Sequence, residues 1–430
     1  MINRLIVFFN TRLYLPFTIL YLNVLNFKNK ILWIFSSNKI LKKSTGISKK
    51  VVLIALFQKG ELRADLKRFI KILKLKGFSI FGVNTQKLIE EEITIFDDYI
   101  ERKNYGQDFG SYKLGFLELF KRNNNNLEKL LMINDSIYFS SNDLEKFVDD
   151  LLDDEYDVIG ATENFEVSHH LGSFCISISS KIFNGKYFRK FWNSFSLTNM
   201  RPTNIKKGEM GLSKALFKAM PSQKSFKVLY NSKRALSFLE SNTHLLNKFN
   251  SMSRRSDLTP WKRPSGQEVI NFIRKRLSSK SQLSAMGFIS DEWKSSKSDI
   301  NLDMSIDLDV AGDEYGYIDG YENFKDFFES YNINVSDEEI KTAIKFTILN
   351  AYREGSQIHQ NFIWNYLMGC PIFKNDSIYR GMMNMEDVIN LKKYMNPMDF
   401  EEYSEILLSK SFGRDVYVGW RLYAFVAGYI

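Results

Sequence analysis

Two stretches of this chain combine residue types that could handle an anion. The first is RKNYGQDFGSYKLGF, Arg102 to Phe116. Asn104, Gly106 and Gly110 permit a tight turn and a close backbone approach, after which the spacing predicts a helix whose first-turn amides can face an anion. That arrangement suits a diphosphate. Asp108 can fix a sugar hydroxyl or cap the helix, and Lys113 can offset phosphate charge. A plain loop capped by Asp108 beside an exposed lysine fits the same residues. The second stretch is MINDSIYF, Met132 to Phe139, an apolar strand that delivers Asn134, Asp135 and Ser136 to its end. A hard divalent cation such as Mg²⁺ or Mn²⁺ needs only one or two protein carboxylates when it bridges phosphates, so Asp135 can serve as a lone metal ligand. It can equally hold ribose or sugar hydroxyls, and Asn134-Asp135-Ser136 also reads as an ordinary turn.

The elements that must position these residues follow from the apolar pattern. Val51–Phe57 predicts a buried strand, Glu61–Lys76 a helix closed by Gly77, and Phe78–Asn84 a second strand. Gly110–Phe120 then reads as helix, Lys129–Asp135 as strand, Asn142–Leu152 as helix and Asp157–Thr162 as strand. Strands alternating with helices predict an α/β fold with a mostly parallel sheet flanked by helices and ligands at the carboxyl ends of its strands. The chemistry is therefore expected near Asn84, Asn134–Ser136 and Thr162. Phe174–Phe183 predicts an added strand and Gly208–Met220 an amphipathic helix. Residues 241–300 turn Ser-, Lys- and Arg-rich, with Pro260 and Pro264, and are read as a polar connector holding a short helix. Residues 301–430 read as a helical C-terminal domain, and the asparagines at 123–126 as a loop. No internal repeat of fixed period is present.

The chain has 430 residues, 44% of them hydrophobic and 25% charged, which excludes wholesale disorder and a multi-span membrane protein. Its net charge of +9 suits an anionic partner. Lys, Asn, Ile and Phe are abundant together, however, as biased codon usage produces, so the charge is a weak functional signal. Two cysteines, Cys175 and Cys370, exclude a disulfide framework or a cysteine-based zinc site. At the N-terminus, residues 1–47 form an aromatic and basic segment. Its longest charge-free run, Leu13–Phe27, falls short of the roughly 20 apolar residues a membrane span needs, and no signal peptide is read. Lys28, Lys30, Lys39, Lys42, Lys43, Lys49 and Lys50 follow. Such a segment can lie on the inner leaflet of a membrane as an amphipathic, basic surface, or it can form a pair of helices packed on the main domain. The expected location is cytoplasmic, peripheral on the cytoplasmic face.

Taken in order, RKNYGQDFGSYKLGF, LLMINDSIYF, DVIGATENFEVSHHLGSFCISISSKIF and GEMGLSKALF resemble the rhamnan synthesis protein F family of polysaccharide-assembly glycosyltransferases. The resemblance covers roughly residues 50–235, and four blocks in sequence are more specific than any one of them. The stretch also looks like the wider GT-A pattern. What it implies is a GT-A-like nucleotide-sugar-binding domain over 48–240. Its activity would be inverting transfer of a sugar, often rhamnose, from a nucleotide-diphosphate donor with dTDP-rhamnose favoured. The acceptor would be a lipid-linked or membrane-proximal saccharide. By the same resemblance Glu209 falls at the position of the catalytic base, although a glutamate opening a helix also stabilises its dipole. His170, in the His-x-x-Ser-Phe block, would bond a diphosphate oxygen or the acceptor. The usual Asp-x-Asp is replaced by Asn134-Asp135-Ser136, which leaves metal dependence open. A looser similarity over Ser356–Gly381 places Lys374 and Arg380 at the acceptor's phosphate or the donor.

Two other patterns lead elsewhere. DLDVAGDEYGYI, Asp307–Ile318, starts like a calcium loop, but Ala311 and Ile318 stand where ligands are needed, so it reads as a turn. The basic run of Arg254, Arg255, Lys262, Arg263, Arg274, Lys275 and Arg276 beside Trp261 carries no nucleic-acid-binding signature, and no nucleic-acid partner is expected. The alternative to an enzyme is a non-catalytic module that binds a glycan or a partner of a polysaccharide assembly complex.

Overall fold

The computed structural model describes residues 15–46, 48–122, 126–165, 167–248, 252, 266–285, 320–330, 333–354, 357–378, 380, 382–409, 424–425 and 428–429. The asparagines at 123–125, the Asp307–Ile318 turn, and Trp261 with Arg254, Arg255, Lys262 and Arg263 lie outside them. The strands are β1 (Lys39–Lys42), β2 (Lys50–Leu56), β3 (Phe78–Asn84), β4 (Asp98–Glu101), β5 (Lys129–Asn134), β6 (Ile137–Phe139), β7 (Val158–Asn164), β8 (His170–Leu171), β9 (Cys175–Ser179), β10 (Phe226–Tyr230) and β11 (Ile372–Lys374). Nine of them form one sheet in the order β1-β4-β3-β2-β5-β9-β7-β10, with β8 beside β7. β2, β3, β4, β5, β7 and β10 all run the same way, and β1, β8 and β9 oppose them. The sheet is therefore mostly parallel, as the strand–helix alternation requires.

The unbroken apolar runs of β2 and β5 follow from helices covering both faces. Val51, Leu53 and Ala55 pack with Phe109, Tyr112 and Phe116 of the helix Gln107–Phe120, while Val52, Ile54 and Leu56 pack with Leu66 and Phe69 of the helix Ala64–Leu75. The period of two along one strand thus feeds two cores. Gly77, at φ +83°, closes the first of these helices in the left-handed conformation that a side chain resists. Phe174–Phe183 forms a shorter strand than its pattern predicts. β9 stops at Ser179 and the chain turns into the helix Ser180–Asn184, because β9 is confined between β5 and β7.

The N-terminal segment does not end at residue 47 as a separate unit, because β1 joins the sheet edge by pairing with β4. Among the described residues the helix Leu15–Ile34 stands ahead of it. The expected connector also changes. Within 241–300, Gly266–Ala285 is a 20-residue helix whose Val269, Ile270 and Ile273 are buried against Ile340 and Ile344 of the helix Asp337–Glu354. Its Arg274, Lys275 and Arg276 face solvent. Three apolar residues on one face suffice to dock a helix that is otherwise basic, and composition averages them away. The remaining helical layer is built on Phe324, Trp364, Leu391 and Tyr403.

Two features join this layer to the sheet-forming part, the first a separate two-stranded sheet. β11 pairs antiparallel with β6, setting Lys374 opposite Ile137. Asp399, fully buried in the helix Pro397–Leu408, accepts hydrogen bonds from the Ser140 hydroxyl (2.6 Å), the Ser141 amide (2.8 Å) and the Tyr138 hydroxyl (3.1 Å), and is paired with Arg68 (3.3 Å). Burial alone would raise the Asp399 carboxyl, but these donors outweigh it and hold it below its ordinary value. The stability it contributes is thus present above pH about 4 and is lost as pH falls further. Replacing it leaves Arg68 and several donors unsatisfied, so Asp399→Ala should destabilise the fold by about 3–5 kcal/mol in urea titrations near neutral pH.

Candidate functional site

The carboxyl ends of β2, β5 and β7 open into a cavity of about 1130 Å³, roofed by the loop before Gln107–Phe120, by the segment from Arg201 to Met210, and by residues 374–382 of the helical layer. Asn104, Asp108, Asn134, Asp135, Ser136, His170, Glu209, Lys374 and Arg380 all line it. Nine positions between Asn104 and Arg380 converge here, Asn134–Ser136 because parallel strands send their carboxyl ends to one edge and Lys374 because β11 pairs with β6.

The Asn104–Gly110 loop is shaped from within. Arg102 is buried and spends its guanidinium on the carbonyls of Lys103 (2.8 Å), Tyr105 (2.8 Å) and Gln107, and on the Ser111 hydroxyl (3.0 Å). Burial lowers its pKa to about 10, with Asp108 acting in the opposite sense. Gly110 is required by this knot, since a Cβ there would stand 2.3 Å from the Tyr105 carbonyl oxygen and 2.4 Å from the guanidinium. Gly106 (φ +81°) and Gln107 (φ +52°) are both left-handed, and Gln107 is a strained position for a side chain. The amides expected to face an anion are engaged. That of Gly106 donates to Asn199 Oδ1 (2.8 Å), that of Phe109 to the Asp108 carboxylate (3.0 Å), and that of Gly110 to the Gly106 carbonyl (2.9 Å). Gly106 accordingly shapes the loop and does not line the cavity. Lys113 points away, donating to the carbonyls of Asn193 (3.2 Å) and Phe195 (2.6 Å). Asn84 is likewise buried and ties its own turn, bonding the Gln58 carbonyl and the Tyr99 hydroxyl.

The acidic pole consists of Asp108, Asp135 and Glu209. Asn134 Nδ2 donates to Asp108 (2.8 Å), while its oxygen accepts from the Ser136 hydroxyl (2.6 Å). Asp135 Oδ2 accepts from the Phe57 amide (2.7 Å) and from Gln58 Nε2 (2.5 Å), and Arg63 clamps the Asp135 carbonyl (2.8 Å). Burial raises both Asp108 and Asp135 above the usual carboxylate range, offset in part by Lys374 and by Arg63 respectively. The oxygens expected to hold a Mg²⁺ or Mn²⁺ ion are partly engaged by protein donors. One oxygen of Asp135 is already taken by two donors, the Asn134 oxygen by Ser136, and the Lys374 ammonium rests on the Ser136 hydroxyl at 2.8 Å. Among the described residues no group of three His, Cys, Asp or Glu side chains is arranged to hold a metal ion.

Glu209 is not in a first helical turn. It ends a wide π-helical turn, Asn204–Glu209, that joins Arg201–Thr203 to the helix Met210–Ala219, so its role as a partner of a helix dipole falls away. Such turns re-aim side chains. Glu209 accepts from the Ser173 hydroxyl (3.1 Å) and lies 3.8 Å from His170 Nε2, while His170 Nδ1 donates to the Ser168 carbonyl (2.7 Å). Burial and then the Asp108 charge raise its pKa. His169 is outside this arrangement, bonded to Glu163 (2.9 Å) and stacked between Phe165 and Phe217.

The same cavity is lined by the cations Lys374, Arg201 and Arg380, the cationic pole of the site. Burial lowers the Lys374 pKa, while Asp376, Glu209 and Asp108 support its charge and the Phe174 ring lies 4.9 Å from the ammonium. Arg380 donates to Asp376 (3.0 Å). Burial would raise Asp376, but His359, Lys374 and Arg380 bring it to about 2. Burial takes His359 down to about 3. The sequence reading did not single out Arg201, Asp376, His359, Gln58 or Arg63, although Asp376 and His359 lie in the Ser356–Gly381 stretch; their place on the cavity lining reveals them.

Part of the sheet-forming region is similar to known proteins. Residues 80–244 match the model of the rhamnan synthesis protein F family. The match takes in the Arg102 knot, Asn134–Ser136, His170 and Glu209. An uncharacterized protein, y4gN, of Sinorhizobium fredii (strain NBRC 101917 / NGR234) is 27% identical over 187 residues, 42% of this chain and 49% of that protein. The chain thus spans about half the length of the curated relative it matches. The crystal structure of the glycosyltransferase GlyE in Streptococcus pneumoniae TIGR4 overlaps 46% of this chain and 50% of that one, at 15% identity and a TM-score of 0.25, too loose an overlay to carry residues across. Lys374 and Arg380 lie beyond the family match. If the cationic pole holds a diphosphate, Lys374→Met should weaken binding of a nucleoside diphosphate at least about tenfold in calorimetry, the loss of one charge-assisted bond. Lys113→Met should leave it unchanged.

Proposed function

We propose that this chain is a GT-A-like glycosyltransferase of polysaccharide assembly. The transfer is inverting, from a nucleotide-diphosphate sugar, with dTDP-rhamnose the favoured donor, to a lipid-linked or membrane-proximal saccharide at the cytoplasmic face of a membrane. The observation that carries this reading is that one cavity brings the carboxylate of Glu209, the one of its three raised acids not tied up by amide donors, together with Lys374, Arg201 and Arg380, within and beside the segment that matches the family. A cavity of this size has room for a nucleotide sugar and the end of an acceptor.

In the reaction the acceptor hydroxyl attacks the anomeric carbon, the new C–O bond forms, and the bond to the diphosphate breaks with its electron pair leaving on the diphosphate. Glu209 takes the hydroxyl proton. A raised pKa makes it a stronger base than an exposed glutamate. Negative charge grows on the leaving diphosphate, and the cationic pole is fixed in advance to receive it. A buried ammonium and two guanidinium groups supply there what a divalent cation supplies elsewhere, so this reading routes no step through a metal. Asn104, Asp108, Asn134 and Asp135 offer oxygens and amides for the sugar and ribose hydroxyls.

A transfer assay with dTDP-rhamnose and other nucleotide sugars tests the proposal. Glu209→Gln should lower kcat by at least about a hundredfold, the scale of general-base catalysis, while donor binding stays intact. The base must be ionised, so kcat/KM should rise with pH through a limb lying above the ordinary glutamate value of about 4.3, and the variant should lose that limb. EDTA should leave the rate unaltered. Binding of glycan without turnover of any nucleotide sugar would instead favour a non-catalytic assembly module.

A further inference from the structure

The helix Leu15–Ile34 buries only Thr18 and Leu22. Phe17 (69% exposed), Leu20, Tyr21, Val24, Phe27 (64%), Ile31 and Ile34 stand open to solvent, followed by Phe35 (85%). Most of them are spaced by three or four and lie on one side of the helix, with Lys28, four residues after Val24 and three before Ile31, on that same side. Apolar exposure of this extent marks an interaction surface. The helix contains no acidic residue, carries Lys28 and Lys30, and is followed by the exposed Lys39, Lys43 and Lys49. No helix among the described residues is long and apolar enough to cross a membrane. Exposed apolar residues interleaved with lysines suit a helix lying in the plane of a membrane interface, where lysines near an anionic surface add to binding. A second copy seated on this side would bring like charges together.

The other side of this helix grips the two loops of the cavity. Asn26 Oδ1 accepts from the Asn199 amide (2.8 Å), and the Asn199 side chain in turn accepts from the Gly106 amide (2.8 Å). Lys103 Nζ donates to the Leu32 carbonyl (3.4 Å), Trp33 lies 5.6 Å from the Tyr105 ring, and Leu22 packs on Met200, next to Arg201. We propose that Leu15–Ile34 is the contact of this protein with a bilayer bearing anionic headgroups, and that the same helix braces the loops carrying Asn104 and Arg201. The contact stands without the transferase reading; the bracing rests on it, through nucleotide binding.

The test is co-sedimentation of the full chain with vesicles of phosphatidylcholine alone and of phosphatidylcholine mixed with phosphatidylglycerol, at low and high salt. The chain should pellet with the mixed vesicles and release at high salt. Phe17→Glu with Phe27→Glu should abolish pelleting, and Lys28→Glu with Lys30→Glu should weaken it about tenfold or more at an unchanged thermal midpoint. No pelleting with any vesicle, or equal pelleting with both compositions, overturns the contact. A doubled mass in light scattering that the phenylalanine variant abolishes, without vesicle binding, gives the exposed side to a second copy and also overturns it. Asn26→Ala should keep vesicle binding and weaken nucleoside-diphosphate binding several-fold; unchanged affinity overturns the bracing. If the wild-type chain binds no nucleotide with or without vesicles, the transferase reading and the bracing fall together, while the vesicle result still decides the contact.

Discussion

The Lys374 ammonium is the interaction on which the site depends. Taking an ammonium out of water is costly unless charges and acceptors surround it. Here they come from four separate stretches: the Ser136 hydroxyl at the end of β5, Asp108 at the head of a helix, Glu209 at a π turn, and Asp376 from its own segment. None of these groups is held in place by Lys374 alone, and Lys374 is not held by any one of them. The pairing of β11 with β6 delivers the lysine, and the same pairing seals the helical layer onto the sheet-forming part. Site and interdomain joint are thus one construction.

The electrostatics follow from that arrangement. Three carboxylates with raised pKa values share the cavity with a cationic pole, and burial sets the sign of each shift before neighbours modify it. Asp376 is the exception, driven low because cations surround it. Of the three raised acids, Asp108 and Asp135 are tied up by amide donors, whereas Glu209 has one hydroxyl donor and an open side toward the cavity. The difference in hydrogen bonding, more than in burial, separates the carboxylates that position from the one suited to move a proton.

Loop geometry adds a second constraint. The glycines of the first motif were legible as a tight turn, and Gly106 and Gly110 do make one. The close approach that Gly110 permits is to the Arg102 guanidinium and the Tyr105 carbonyl, not to a ligand, and the loop amides close on protein partners. A glycine spacing reports that something passes close to the backbone, without saying what. Lys113 misled for a related reason: a lysine near the start of a helix can point along either side, and here the carbonyls of Asn193 and Phe195 attract it.

By itself the sequence determined the strand–helix alternation and the sheet whose strands end at Asn134–Ser136 and Thr162, because apolar periodicity and strand direction are local properties, while His170 and Glu209 were marked only by the family resemblance. β4 and β10 were not legible, being short and depending on neighbours for their pairing. The helix expected within the connector proved to be the 20-residue Gly266–Ala285, and its docking was hidden by its basic surface. Only the tertiary structure decided which cations join the carboxylates. Arg201 belongs to a segment bent by a π turn, Asp376 and His359 to a layer folded back from more than a hundred residues away, and Lys374 to a three-residue strand whose place is fixed by its partner. Long-range pairing chooses among many basic residues of equal sequence merit, and that choice is made by packing rather than by spacing.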